Sequence, residues 1–368
     1  MRRPLVIAAL VVATLLGVPA AHAVPDRLPD RAPANGLRGS TEVADPPFSI
    51  DPEQVRAEAV DCVTPDGAPA DADAVVLVHG TGTSGHEEYA WNYELRLAEG
   101  GIPHCVVTYP ERGFGDMQVS AEYVVVAVHE AAAISPSGRV DLVGHSQGAT
   151  MPRWAVKYWP SVQALVDDFV LHAGPNHGTW VADDPFAPAL AGTPLDPFAT
   201  RPPVLWQFRT DSAFNRYLNH GDETPGEVDY TSIYAHTDEL VQPSGTNGPA
   251  TAALEVDRPE KVVNVNVQDV CPGRVVEHLS LGTTDRFVME LTVATLRAPG
   301  PADLSSIDAT LCSLPDQYVT PASFAALFGT GSGPESFGSG GAWLDPSRYV
   351  TEEPAIRDYA VAQDGSAD

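Results

Sequence analysis

The stretch RVDLVGHSQGATMPRWAVKYW, residues 139–159, decides the fold. An apolar run ends at Gly144, and a pattern typical of an amphipathic helix begins near Ala149. The motif GHSQG between them places Ser146 in the strand–turn–helix context in which a nucleophilic serine stands on a tight, strained turn. An ordinary turn between a strand and a helix can have the same spacing, so the motif alone is weak. The partners of Ser146 therefore decide its interpretation.

Short β-branched runs alternate with helical patterns on both sides of this motif. Continuous apolar runs are typical of strands buried on both faces of a parallel sheet, and the alternation favours helices that cover both faces. The predicted strands are 74–80, 104–109, 139–144, 167–174, 230–236 and 262–267. The predicted long helices are 118–134, 149–159 and 285–296. The sequence therefore predicts an α/β fold with a mostly parallel central sheet.

A serine hydroxyl needs a base that accepts its proton and an acid that orients the base. In folds with this kind of turn, the order along the chain is serine, acid, histidine. We predict His278 as the base, because it follows the last predicted strand and opens the last long helix. The other histidines after Ser146 lie in or at the end of strands, or precede the expected acid: His172, His177, His220 and His236.

The acid is expected on the loop after the strand that precedes the histidine loop. The stretch YTSIYAHTDELVQP, residues 230–243, places Asp238 and Glu239 shortly after a strand end. We predict Asp238 as the acid, because its shorter side chain suits a loop at a strand end. Glu239 is the alternative.

Ester hydrolysis also needs donors for the oxyanion that forms, and backbone N–H groups are the usual source. One is expected from Gln147, which follows the serine at the start of a helix. The second is expected from the loop VHGTGTSG, residues 78–85, where we predict Thr81, with its hydroxyl as a further donor. A glycine-rich loop can also bind phosphate, but the Gly-Lys-Ser/Thr ending of a P-loop is missing here.

The N-terminal residues 1–23 are typical of a secretory signal peptide. Two arginines precede an apolar stretch, and the small-residue ending AHA follows at 21–23. A membrane anchor is the alternative, but the apolar stretch is short, and Gly17 and Pro19 interrupt it. We therefore expect a secreted, extracellular protein without a stable membrane anchor.

Composition divides the rest of the chain. Residues 24–44 are rich in Pro, Arg and Asp and predict a flexible N-terminal arm or pro-segment. We predict a catalytic domain at 45–328, followed at 329–368 by a Gly/Ser-rich linker and a C-terminal tail. The tail holds aromatic residues that can pack back on the domain.

The formal net charge of −28 excludes some classes of partner. It repels nucleic acid and anionic lipid surfaces, and the chain has no run rich in Lys or Arg. We therefore expect no nucleic-acid partner.

The four cysteines are an even number in a chain expected to be exported, which favours two disulfides. They are Cys62, Cys105, Cys271 and Cys312, and three pairings are open. Zinc is not expected, because no Cys-x-x-Cys or His-x-x-x-His spacing is present.

Several stretches together resemble the secreted lipases similar to Candida antarctica lipase B. The resemblance runs from about Asp45 to Phe328, in order and with similar spacing. The stretches are DPPFSIDPEQVRAEAVDC, VVLVHGTGTSG, DMQVSAEYVVVAV, HSQGATMPRWAVKYWPSV, YAHTDELVQP and VCPGRVVEHLSLG.

This resemblance implies an α/β-hydrolase fold and assigns roles to individual residues. It implies a catalytic triad of Ser146, Asp238 and His278, with Thr81 and Gln147 as the oxyanion hole. It also implies disulfides between Cys62 and Cys105 and between Cys271 and Cys312.

The chain also departs from the family pattern at three places. His145 stands where the yeast lipase has a tryptophan before the nucleophile, so selectivity for chiral alcohols is not carried over. Residues 180–203 are longer than the family's mobile element, and are either a lid or an ordinary proline-rich loop. The family's third disulfide has no counterpart.

We predict a monomeric serine lipase that hydrolyses triacylglycerols and related lipid esters, meeting its substrate at an oil–water interface and needing no cofactor or metal. The main alternative is a carboxylesterase or polyesterase for short-chain or polymeric esters. A binding protein with a silent triad and a cell-wall acyltransferase are further alternatives.

Overall fold

A seven-stranded sheet organises the chain in the computed structural model, which describes residues 44–183, 199–246, 248–315 and 345–363. The strands are Val60–Val63 (β1), Ala74–Val78 (β2), His104–Val107 (β3), Val140–His145 (β4), Val166–His172 (β5), Asp229–Tyr234 (β6) and Val262–Asn266 (β7). Their order is β1-β3-β2-β4-β5-β6-β7; β1 is antiparallel to β3, and every other neighbouring pair is parallel. The predicted α/β class with a mostly parallel sheet is confirmed.

Helices connect the parallel strands. In the described residues the α-helices are Pro52–Glu58 (α1), Gly85–Tyr89 (α2), Tyr93–Glu99 (α3), Met117–Ile134 (α4), Gln147–Tyr158 (α5), Pro160–Leu165 (α6), Pro203–Gln207 (α7), Ala213–Asn219 (α8), Val267–Val270 (α9), His278–Gly282 (α10), Arg286–Thr295 (α11) and Asp358–Gln363 (α12). The three long predicted helices correspond to α4, α5 and α11, with small shifts at their ends. Asp116 and Asp285 cap α4 and α11 by accepting backbone N–H bonds, which fixes where these helices begin.

The core has two layers, one on each face of the sheet. Along β2, Val76 and Val78 belong to one layer, and Val75 and Leu77 belong to the other, because successive side chains of a strand point to opposite faces. Helices α4 and α5 contribute to the first layer, and α3 and α11 to the second. This two-sided burial explains why the strands are continuously apolar.

Two disulfides join neighbouring parts of the fold. Cys62 of β1 is bonded to Cys105 of β3, and Cys271, directly after α9, is bonded to Cys312. All four cysteines are therefore paired, in the combination that the family resemblance implies.

Residues 345–363 pack onto the same body. The carboxylate of Glu353 accepts the backbone N–H groups of Ala213 and Phe214 at the start of α8. Trp154 Nε1 donates to the hydroxyl of Tyr359 at 2.9 Å, and Ala360 is fully buried. This part of the predicted tail thus contributes to the core.

Several sequence predictions concern residues outside the described ranges. These are the signal segment 1–23, nearly all of the arm 24–44, the Gly/Ser-rich stretch at 329–341 and the middle of segment 180–203. Among the described helices, none has the length and apolar character needed to span a membrane.

Candidate active site

Ser146 lies on the turn between β4 and α5, with backbone angles φ 55° and ψ −120°. Non-glycine residues rarely adopt this conformation, and the surrounding glycines make it possible. A Cβ atom on Gly144 would lie 1.8 Å from the carbonyl oxygen of Gly148, and one on Gly148 would lie 2.1 Å from the carbonyl oxygen of Val78. The spacing of the motif is thus a steric requirement of this turn.

The structure brings together three of the predicted site residues. Ser146 Oγ is 2.9 Å from His278 Nε2, and His278 Nδ1 is 2.9 Å from Asp238 Oδ2. His278 is the first residue of α10, after β7, and Asp238 lies on the loop after β6. Because these strands and β4 are parallel, their following loops meet at one edge of the sheet.

The surroundings of Asp238 favour its ionised form. Its Oδ1 atom accepts backbone N–H bonds from Leu240 at 2.8 Å and Val241 at 2.9 Å. Burial by itself would raise the pKa of Asp238, but the charge and hydrogen bond of His278 and the two N–H donors outweigh it and lower the pKa. An ionised Asp238 accepts a hydrogen bond from His278 Nδ1–H, which leaves Nε2 free of hydrogen and able to accept a hydrogen bond from the Ser146 hydroxyl.

Neighbouring candidates have other partners. The carboxylate of Glu239 accepts the backbone N–H of His278 at 3.1 Å, so it contacts the main chain and not the ring. His172 is buried in β5, with Nε2 2.8 Å from Thr292 Oγ1. His177 pairs with Glu223 at 3.2 Å.

The two predicted oxyanion residues are in contact. The hydroxyl of Thr81 donates to Gln147 Oε1 at 2.8 Å, and Gln147 is fully buried as the first residue of α5. The loop of Thr81 is held by Arg112, whose carbonyl accepts from Gly82 N at 2.7 Å and whose Nε donates to Gly82 O at 2.8 Å. The glycine-rich loop is therefore fixed beside the start of α5.

Comparison with known proteins gives a consistent result. The family model described as lipase (class 2) matches residues 122–279. Lipase B from Pseudozyma antarctica is 30% identical over 250 residues, which cover 67% of this chain and 69% of that protein. This protein belongs to the lipase B family. The crystal structure of lipase B from Aspergillus fumigatus matches with a TM-score of 0.68 and 27% sequence identity, covering 90% of this chain and 78% of that chain.

Membership of the lipase B family confirms the resemblance found in the sequence motifs. It makes the protein a carboxylic ester hydrolase, of lipase or esterase type, with an α/β-hydrolase fold.

A cavity of about 540 Å³ opens beside Ser146 in this lipase B family member. Most of its wall is apolar. The apolar side chains that line it include Val181, Leu205, Phe208, Leu240, Val241 and Leu279. A cavity of this kind suits an acyl chain better than a charged ligand.

One buried side chain of this site escaped the sequence analysis. Glu88, on α2, is fully buried and lies 2.7 Å from His145 Nδ1 through its Oε1 atom. The stretch GHEEYAW around Glu88 has no local pattern that distinguishes this carboxylate from exposed ones. Only the tertiary structure brings it next to His145, the residue before Ser146.

Proposed function

We propose that this protein is a secreted serine lipase that hydrolyses triacylglycerols and related lipid esters through an acyl-enzyme on Ser146. The observation that carries the proposal is the pair of 2.9 Å contacts that connect Ser146 Oγ, the His278 ring and Asp238 beside an apolar cavity. A nucleophile, a base and an orienting acid within hydrogen-bonding distance can perform acyl transfer.

In the first step, His278 Nε2 takes the Ser146 proton while Oγ attacks the ester carbonyl carbon. Asp238 stays ionised, holds Nδ1–H toward itself and stabilises the imidazolium that forms. The lowered pKa of Asp238 supports this role; burial raises it, but the charge and hydrogen bond of His278 and the two backbone N–H donors together outweigh burial.

The tetrahedral intermediate carries its charge on the former carbonyl oxygen. We assign the backbone N–H groups of Gln147 and Thr81 as its donors, with the N-terminal end of α5 adding a favourable dipole. The Thr81 hydroxyl now donates to Gln147 Oε1. It must therefore rotate away from that oxygen to become a third donor.

The intermediate collapses when the bond between the carbonyl carbon and the alcohol oxygen breaks. His278 gives its proton to the departing alcohol and leaves the acyl group on Ser146 Oγ. Water then attacks the acyl-enzyme, with His278 again taking and returning a proton, and the carboxylic acid leaves. The sequence of steps needs no cofactor or metal ion.

The cellular setting belongs to the same proposal. Secretion is supported by the signal-like segment 1–23 and by the two disulfides, which persist in oxidising compartments. We expect the secreted enzyme to be a monomer that meets emulsified substrate.

The substrate range is tested by a series of p-nitrophenyl esters from acetyl to palmitoyl, with emulsified triacylglycerol in parallel. Ser146→Ala is the control for background hydrolysis. Cleavage of long-chain esters and of the emulsion by the unmutated protein is the expected result. If only short esters are cleaved, the enzyme is a carboxylesterase, and the lipase proposal is wrong.

A further inference from the structure

The side chain directly before the nucleophile connects three loops of the site. His145 Nε2 lies 2.9 Å from the carbonyl oxygen of His278, and Nδ1 lies 2.7 Å from Glu88 Oε1. Glu88 Oε2 in turn accepts the backbone N–H of Gly80 at 2.9 Å and the Thr83 hydroxyl at 2.6 Å. The loop of Thr81, the turn of Ser146 and the start of α10 are thereby joined through two buried side chains.

The contacts determine the protonation of this pair. A carbonyl oxygen can only accept, so His145 Nε2 must carry a hydrogen. The carboxylate of Glu88 accepts from two further donors, which favours its ionised form and leaves Nδ1 as a donor as well. The contacts therefore favour an imidazolium at His145, paired with a buried carboxylate.

Electrostatics supports this assignment. Burial alone would lower the pKa of His145, but the charge and hydrogen bond of Glu88, the carbonyl of His278 and the charge of Asp238 together outweigh it and raise the pKa. Burial alone would raise the pKa of Glu88, but the charge and hydrogen bond of His145, the charge of His79 and the Thr83 hydroxyl together outweigh it and lower the pKa. Other titratable groups that interact with the pair include His79, His172, Asp238, Tyr89 and Tyr109.

Glycines on both sides make room for the His145 ring. A Cβ atom on Gly282, the last residue of α10, would lie 2.2 Å from His145 Cγ, and one on Gly80 would lie 3.2 Å from Nδ1. The ring centroids of His145 and His278 are 4.9 Å apart. The imidazolium therefore fills a slot between the glycine-rich loop and α10.

We propose that Glu88 and His145 are positioning residues, which fix the positions of the His278 main chain and the Thr81 loop relative to Ser146. The proposal rests on the roles assigned to Ser146, His278 and Thr81 above. Helix α10 has only five residues, so a hydrogen bond to its first carbonyl group constrains the position of the His278 ring. Displacing a reacting group by about 1 Å can lower a rate about 100-fold.

The test compares turnover per active site in two variants. His145→Phe keeps a ring in the slot but removes both donors, whereas Glu88→Gln removes the charge and allows a neutral His145 to keep its bond to His278. Active sites are counted by titration with a fluorophosphonate, and kcat and KM for p-nitrophenyl butyrate are expressed per titrated site.

We expect His145→Phe to lower kcat per titrated site about 10- to 100-fold, with KM changing less than about 3-fold, since only the reacting geometry is disturbed. Glu88→Gln should lower kcat by a smaller factor, about 3- to 10-fold, because the bond to His278 survives. Glu223→Gln is the matched control, since it removes another buried carboxylate, which pairs with Arg153 at 3.1 Å and with His177 at 3.2 Å and lies outside the three loops. It should reduce the number of titrated sites without changing kcat per site.

The outcomes separate this inference from the proposed function. If the fluorophosphonate does not label Ser146 of the unmutated protein, the proposed function fails, and the positioning role fails with it. If the unmutated protein is labelled but both variants keep its kcat per site, as Glu223→Gln does, only the positioning role is overturned. Should His145→Phe give no folded protein, Glu88→Gln decides alone, and an unchanged kcat per site overturns the inference.

Discussion

At the scale of single residues, three hydrogen bonds fix the position of the Asp238 carboxylate. Its carboxylate accepts one bond from His278 and two from the backbone N–H groups of Leu240 and Val241. A carboxylate in this position cannot rotate without losing buried hydrogen bonds. It therefore fixes both the orientation and the tautomer of His278.

Replacement of this carboxylate by an amide should affect the chemical step. In Asp238→Asn, the amide can donate to His278 Nδ1 and so favours the tautomer that cannot accept the serine proton. We expect kcat to fall by about 10⁴-fold, as it does when the acid of such a triad is changed in this way.

Glu239→Gln is the informative comparison, because this neighbouring carboxylate contacts only the main-chain N–H of His278. Steady-state kinetics of both variants, with circular dichroism to verify folding, provide the measurement. A larger loss in Glu239→Gln than in Asp238→Asn would contradict the assignment of the acid.

At the scale of elements, the turn between β4 and α5 depends on a close approach of three backbone segments. Gly148 lies against the carbonyl groups at the end of β2, and Gly144 lies against Gly148 itself. The serine conformation is thus supported by packing against a neighbouring strand. Any side chain at these positions must push Ser146 away from His278 or separate α5 from β2.

Gly148→Ala tests this requirement. The new methyl group would stand 2.1 Å from the Val78 carbonyl oxygen, which cannot be accommodated without moving the backbone. We expect a loss of stability of about 1 to 3 kcal/mol and a large loss of esterase activity. Urea unfolding and p-nitrophenyl butyrate assays measure the two effects.

The matched control is Gly115→Ala, where the nearest atom to the new Cβ is the Glu111 carboxylate at 3.6 Å. That substitution should leave both properties close to those of the unmutated protein. Equal behaviour of the two alanine variants would show that the turn is not sterically constrained.

At the scale of the whole molecule, the C-terminal segment, residues 345–363, forms part of the core. Gln118 of α4 donates to the carbonyl of Ala355 and accepts the backbone N–H of Arg357, while the ring of Tyr359 packs against Trp159 with centroids 5.0 Å apart. These contacts belong to the core layer to which α4 and α5 contribute. Removing the segment would expose large aromatic side chains of that layer to water.

Truncation tests this contribution. A chain that ends at residue 344 should unfold at a lower urea concentration than the full chain, by several kcal/mol in the free energy of unfolding, because buried apolar area is lost. A chain that ends at Gln363 keeps every described contact of the segment and should unfold like the full chain. Equal urea midpoints for all three chains would contradict the inclusion of this segment in the core.

Two buried histidines should make the whole molecule sensitive to acid. Burial lowers the pKa of His79 to about 4 and that of His172 to about 3, from an ordinary value of 6.5. Between these values and pH 6.5, the two histidines bind more protons in the unfolded chain than in the folded one. Their contribution to stability is therefore complete above pH 6.5 and is lost as the pH falls toward the folded-state pKa values. Each pKa unit corresponds to about 1.4 kcal/mol.

The urea midpoint should therefore fall between about pH 6.5 and about pH 5, in the range where unfolded histidine titrates. In His172→Phe this fall should be smaller, because one of the two groups no longer titrates. The Thr292 hydroxyl still donates to the Val288 carbonyl in that variant, so this hydroxyl keeps a hydrogen-bond partner. An unchanged pH slope in His172→Phe would contradict the account.

Local patterns predict some features of this molecule better than others. The strands buried on both faces carry continuous apolar runs, and the glycines around Ser146 reflect a steric need, so both can be read from short windows of sequence. The edge strand β1 was missed, because it has four residues and most of them are exposed. Chain order and the position after a predicted strand indicated His278 and, with its shorter side chain, Asp238. The structure brings the two within hydrogen-bonding distance of each other.

Other features depend on residues far apart in the chain. Glu88 and His145 are 57 positions apart, and Glu353 binds α8 from 139 and 140 positions away. No periodicity or spacing encodes such pairs. They become visible only when the fold brings the elements together.

The central claim is that Ser146 is the nucleophile of an ester hydrolase, and covalent labelling tests it most directly. The protein is treated with a fluorophosphonate, digested and mapped by mass spectrometry, while hydrolysis of p-nitrophenyl butyrate is followed in the same samples. We predict one label, on Ser146, with activity lost in proportion to labelling, and a folded Ser146→Ala variant whose activity is lower by several orders of magnitude. A label on another residue that abolishes activity, or a folded Ser146→Ala variant that remains active, would contradict the claim.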